Sequence, residues 1–244
     1  MLKSPKLLSK TNVYSRLLIL VILMLVIAIL ATESTFLLGN ELDGPNYGGF
    51  AFSIIYVIFI SYFILLLNLL DYSKRIQNGF IVYAIIGFIG SFYFANPFLH
   101  VLSDEKKPLV YIFFHLCNFC CEIFFSAAVL RDIFSSEKTH SDHIWGAIVI
   151  YFLLVICFSE IYEIITLIQP GLLGKTYVIG YPNFVECVMF SLNSVAGVDT
   201  LFPDAHSLLR KLGNLENVFG NLFLVVILGR LLSRPIEKIN AVVK

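Results

Sequence analysis

Glu160 and Glu163 lie three residues apart in one apolar stretch, and Glu122 lies in another with Asn118 one turn before it. Residues three apart share a helix face, and carboxylates so paired can bind a cation or pass a proton between acid and base. The plainer reading is that, at the outer end of their helix, they bond groups of the loop and short helix that follow. An ionisable side chain inside a membrane span is a functional candidate by default, although Glu122 with Asn118 reads equally well as a hydrogen-bonded structural pair. The run His115-Leu116-Cys117-Asn118-Phe119-Cys120-Cys121 has metal-ligand residue types. Structural zinc sites usually draw on two separated ligand pairs in a polar knuckle; here the ligands share one apolar stretch, so no metal and no cofactor is expected. Asp199, Asp204 and His206 gather around Pro203. There carboxylates would concentrate cations and the imidazole would sense pH, or all three are solvated turn residues. His140 and His143 flank Asp142 in what reads as a solvated connection. The water-exposed parts hold no nucleophile–base pair and no phosphate-cradling glycine loop, so the chain is not expected to be an enzyme.

The elements that carry these residues are set by composition. The chain of 244 residues is 58% apolar and 14% charged, with 23 Phe and 12 Tyr and a mean hydropathy of +0.86. A soluble domain of this length cannot hide so much apolar surface, so a bilayer is expected to solvate it. The zero net charge argues against a nucleic-acid partner. Five cysteines fall inside apolar runs and read as small buried side chains rather than disulfide partners.

Six runs reach the roughly twenty residues that a spanning helix needs: 17–38, 49–70, 78–98, 108–130, 144–168 and 208–232. The first exceeds the apolar core of a signal peptide and is read as a span. Of 17 basic residues, 12 fall on one side of this topology (Lys3, Lys6, Lys10, Arg16, Lys74, Arg75, Arg131, Lys138, Arg230, Arg234, Lys238 and Lys244). The positive-inside rule then predicts an integral protein of a plasma (inner) membrane with both termini cytoplasmic. The first connection, with Glu41 and Asp43 and no base, suits the outer face. With tails of about sixteen and twelve residues, no soluble regulatory domain is expected.

Between the last two long runs lies a short one, 183–195, too short to span and therefore read as a re-entrant half-helix. Asn183 with Glu186 three residues on has the form of a capping box. Ala196-Gly197 would end the helix, and a polar descent over 194–203 would follow.

Here the chain resembles the two-helix pore module of the potassium-channel superfamily. The run Leu215-Glu216-Asn217-Val218-Phe219-Gly220-Asn221-Leu222-Phe223-Leu224-Val225-Val226-Ile227-Leu228-Gly229-Arg230-Leu231 is similar to the family's inner helix, and Phe190-Ser191-Leu192 to its pore helix. The family's filter falls on Ser194-Val195-Ala196-Gly197-Val198-Asp199, with both filter glycines replaced. The resemblance implies a tetrameric cation pore whose partners are sister copies, monovalent cations and lipid; the substitutions imply weak selectivity. It implies an outer mouth at Asp204 and His206. It also implies a pore-lining helix bearing Asn217, Gly220, Asn221, Leu224 and Leu228, with Glu216 packed near the pore helix. Gly213 and Gly220, seven residues apart, equally suit a close helix crossing. The fourth run has only Arg131, at its end, so no voltage sensor is expected.

The expectation is therefore an all-α membrane protein of six transmembrane helices plus a re-entrant pore half-helix, forming a four-fold tetramer. Its parts would be a tail (1–16), a four-helix domain (17–143), a pore domain (144–232) and a second tail (233–244). The expected function is passive cation conduction. The alternatives are a non-conducting channel-like module for assembly or signalling, and a small secondary transporter or membrane enzyme using Glu122, Glu160 and Glu163.

Overall fold

The computed structural model describes residues 10–37, 47–94, 107–135, 141–175, 179–198 and 202–233. These form α1 (Lys10–Leu37), α2 (Tyr47–Leu69), α3 (Lys74–Phe94), α4 (Lys107–Ser135), α5 (Ser141–Ile168), α6 (Tyr181–Ala196) and α7 (Ser207–Leu232). Helix α5 is the hub, packing on α1, α4, α6 and α7.

Apolar residues at helical spacing decide which faces turn inward. On α1, Tyr14, Leu17, Val21 and Met24 share one stripe and are fully buried. On α2, Phe59, Phe63, Leu66 and Leu67 do the same. Phe63 packs edge-on against Phe80 of α3 at 4.8 Å and against Phe125 of α4 at 4.7 Å, the offset geometries that aromatic rings prefer. A second core gathers Tyr162, Leu172, Leu173, Phe190 and Leu209 where α5, α6 and α7 meet.

This architecture corrects the six-span reading. Among the described residues, three helices are long and apolar enough to cross a membrane: Pro108–Ser135, His143–Ile168 and Ser207–Leu231. The apolar stretches described in α1 and α2 are shorter, Val13–Ile27 and Ile54–Leu69. An apolar run records what must leave water, not what receives it, and much of α1 and α2 is received by protein. The three long helices differ in the same way. Over half of the α5 window is buried (56%), against 22% for α4 and 24% for α7. Leu109, Phe113 and Leu116 on α4 and Leu222 and Val225 on α7 remain exposed, an apolar surface that associates the protein with a membrane.

The half-helix is corrected as well. It begins at Tyr181, with Gly180 as its N-cap at φ 120° and Pro182 in its first turn. That φ is open to glycine and strained for other residues, and the first-turn proline costs no backbone bond. Asn183 therefore lies inside the helix, and the predicted capping box does not form. Helix α6 packs on α1, α5 and α7 of its own chain, so no sister copies are needed to shelter it. The argument for a four-fold ring loses its basis.

One end of the bundle is basic. Tyr14 Oη donates to Asp132 at 3.3 Å and Arg16 donates to Tyr62 Oη at 2.9 Å. Lys74 donates to Asn68 at 2.8 Å, and Arg230 to the Phe134 carbonyl at 2.8 Å. Arg16, Lys74, Arg131 and Arg230 thus gather where α1 starts and α7 ends. Lys3, Lys6, Glu41, Asp43, Lys138, His140 and the tail from 234 onward lie outside the described residues.

Burial ranks the apolar side chains for a stability test. Phe63→Ala should cost about 3–5 kcal/mol in equilibrium unfolding. Ile86, on α3 and 53% exposed, should cost less than about 0.5 kcal/mol as Ile86→Ala.

Candidate functional site

Antiparallel packing of α4 on α5 brings His115 and Asn118 opposite Glu160 and Glu163. The His115 Nδ1 is hydrogen-bonded to Glu160 Oε2, and its Nε2 lies 3.9 Å from Glu163 Oε1. The imidazole therefore sits between two carboxyl groups, and all three residues are buried. Its ring is stacked between Tyr111, at 6.2 Å, and Phe184, at 5.3 Å. Asn118 donates to Glu160 Oε1 at 3.4 Å and accepts from the Tyr83 hydroxyl. Burial pushes the Tyr83 phenol well above its ordinary range, so it stays a neutral donor.

The network continues into α6. Asn183 donates from Nδ2 to Glu163 Oε2 at 2.6 Å and to Thr166 Oγ1 at 2.9 Å. The Cys187 thiol donates to the same Glu163 oxygen at 3.5 Å. Burial, reinforced by the Glu163 charge, pushes that thiol up, so it serves as a donor and not as a thiolate nucleophile. One turn further on, Ser191 Oγ donates to Glu216 Oε1 of α7, and Tyr162 Oη donates to Glu216 Oε2 at 2.7 Å. Asn183, Cys187 and Ser191 recur at four-residue spacing, one stripe of α6. Along it Glu163 holds one end of the helix and Glu216 the other.

The residues assigned to a filter occupy different roles. Ser194 and Val195 are in the last turn of α6, Ala196 ends it, and the Ser194 hydroxyl donates back to the Phe190 carbonyl at 2.9 Å. Gly197 follows in the left-handed conformation, φ 70°. Its N–H bonds to Ser194 O at 3.0 Å, and the Val198 N–H to Asn193 O at 2.9 Å. That pair of bonds is a Schellman closure. With Ser194 to Ala196 wound in a helix and Gly197 closing it, the described residues form no pore loop. Asp199 lies outside the described residues.

Asp204 is exposed and packs against Gly174, where an added Cβ would come within 2.8 Å of its side chain. His206 caps α7: its Nδ1 accepts from the Leu208 N–H at 3.2 Å, while its own N–H donates to Leu172 O at 2.8 Å. On α7, Gly220 is buried against Val195 and Leu154, and Gly213 faces Ser194 closely enough that a Cβ would sit 2.6 Å from its hydroxyl. Both glycines mark where α7 crosses its neighbours. Asn217 is half-buried and accepts from exposed Asn221, Leu224 is half-buried, and the Leu228 side chain lies outside the described residues. Among the cysteines, Cys157 and Cys187 are buried, Cys117 and Cys121 partly so, and Cys120 is exposed, which corrects the reading of all five as buried. Among the described residues no three His, Cys, Asp or Glu side chains form a metal-binding group.

Comparison with family models, with curated proteins and with solved structures finds no match to the chain. The resemblance to the potassium-channel pore module rested on a leucine-rich helix and a filter register. With no matching family model and a helix cap in place of the filter, that assignment, and cation conduction with it, is withdrawn.

Sequence reasoning named Glu160, Glu163, Glu122 and Asn118. It missed Asn183 as a ligand of Glu163, Cys187 as a donor and Tyr162 as a partner of Glu216. The four-residue spacing of Asn183, Cys187 and Ser191 was the signal available.

Removing one partner of a buried charged pair costs far more than the pair contributes. Glu163→Ala should destabilise the fold by about 3–5 kcal/mol, whereas Glu163→Gln, which still accepts from Asn183, should cost about half that or less. Chemical unfolding in detergent micelles reads the difference.

Proposed function

We propose that this chain is a membrane-integrated helical protein that acts by binding protons rather than by catalysis, with His115, Glu160 and Glu163 as its responsive centre. The observation that carries the reading is the buried imidazole between two carboxyl groups, one of which also holds α6. When the cluster carries its proton, a positive ring lies between two negative groups. When the proton leaves, two buried carboxylates face a neutral ring, and their repulsion acts on the same residue that Asn183 and Cys187 depend on. Loss of the proton therefore loosens α6 from α5, and the change in helix packing is the output. The absence of an activated nucleophile in the cluster supports a non-enzymatic role, since its one thiol is spent as a hydrogen-bond donor.

In this reading α4, α5 and α7 cross a plasma-type membrane. The end at which α4 closes and α7 finishes, with Arg131 and Arg230, faces the cytoplasm, as positive charge flanking spans favours.

The sign of the pH effect follows from the charges. Stability should be greatest while the cluster holds its proton and should fall as pH rises and the proton is lost, on the order of 1–3 kcal/mol for the uncompensated buried charge. Glu163→Gln removes one of the facing charges and should flatten the profile. Thermal unfolding in nanodiscs across a pH series tests this; parallel profiles for the two proteins would refute the reading.

A further inference from the structure

Glu122 takes no part in the cluster, yet it is the most isolated ionisable group among the described residues. It lies near the middle of α4, is 1% exposed, and neither carboxyl oxygen has a hydrogen-bond partner at ordinary distance, the Cys157 thiol being the one weak donor beside it. Every other buried carboxyl discussed above has a donor. The groups that face it are Tyr56 of α2, Tyr83 of α3, Cys121 of α4, and Cys157 and Glu160 of α5. None of them is a cation. An ionised carboxylate buried with no counter-charge and only a weak thiol donor is prohibitively costly, so this carboxyl is sustained there by a proton.

A route for that proton is visible on one side. A small pocket lined by Thr166, Leu167, Pro170, Gly171, Ile179 and Asn183 reaches the surface at exposed Pro170 and Gly171. From it, polar side chains lead through Asn183 and Thr166 to Glu163, across a gap of 3.9 Å to His115, and on through Glu160 to Asn118 and the Tyr83 hydroxyl. Asn118 is one turn from Glu122 on the same face of α4. On the other side the way is closed. Phe125 and Val129 of α4, Val149 and Leu153 of α5 and Phe63 of α2 are all buried apolar side chains between Glu122 and the basic end.

We propose that Glu122 is a second proton-binding site, filled only from the Pro170–Ile179 pocket through the His115 cluster and Tyr83–Asn118, and sealed toward the basic end. A terminal site of this kind stores a proton and does not pass it across. It rests on the cluster reading for its supply of protons, while Glu122 itself is identified independently by its burial.

The test uses the full chain in nanodiscs and dicyclohexylcarbodiimide, which modifies protonated carboxyl groups in apolar surroundings, with adducts located by peptide mass spectrometry. The expected result is that Glu122 is modified, and that the amount modified by a short pulse of reagent declines with the time elapsed after a jump to alkaline pH. Tyr83→Phe, which keeps the ring, and Asn118→Leu should each slow that decline, on the order of tenfold or more for loss of a relay group. Phe125→Leu, which keeps the seal apolar, should leave it unchanged. No adduct on Glu122, or a decline equally fast in all variants, overturns the proposal. Failure of the cluster reading is seen separately: the pH profile of stability would then be unaltered by Glu163→Gln while Glu122 is still modified.

Discussion

The fold depends on two carboxyl groups that have been taken out of water and given donors by α6, with Tyr162 of α5. Glu163 receives Asn183 and Cys187, and Glu216 receives Ser191 and Tyr162. Each contact is modest by itself, because a hydrogen bond in the folded protein replaces one that the open chain can make elsewhere. What makes the set decisive is the penalty for any alternative placement of α6. A slip of one residue would turn the stripe away from both acids and leave two buried charges without partners. Apolar packing of Phe184, Val185 and Val188 supplies attraction, and it would tolerate several registers. The polar stripe admits one.

The same constraint explains why α5 is the hub. It carries Cys157, Glu160, Glu163 and Thr166 toward α4 and α6, and Tyr162 toward Glu216 of α7. A helix that presents polar groups in two directions must turn those faces to protein and not to lipid, and over half of its apolar window is accordingly inside the protein. Helices α4 and α7 keep faces that are apolar and exposed, as α3 does with Val82, Ile85 and Ile89, and these faces are where the chain meets a membrane.

The sequence revealed the helices well, because their apolar runs are long and bounded by turn residues. It also revealed that Glu122, Glu160 and Glu163 would lie at helix interiors. It could not reveal which apolar faces meet protein. The stripe of Tyr14, Leu17, Val21 and Met24 looks the same whether lipid or α5 covers it, and this is how α1 and α2 come to be read as spans. The filter reading failed for a different reason. Ser194 to Val198 reads as a loop when aligned by Asp199, but an αL glycine after a long apolar helix is the ordinary way for a helix to end. Gly197 carried that information without any reference to a pore. The network around His115 was half legible: its acids were evident from type, while their partners depend on how α6 is docked.

The central claim is that Glu163 and Asn183 act as one unit in positioning α6. A double-mutant cycle with Glu163→Gln, Asn183→Leu and the double variant, followed by equilibrium unfolding in one lipid environment, measures that coupling directly. The account predicts a favourable interaction on the order of 1–3 kcal/mol, well beyond the scatter of independent sites. Strictly additive losses would show that the two side chains are neighbours without being partners, and would contradict it.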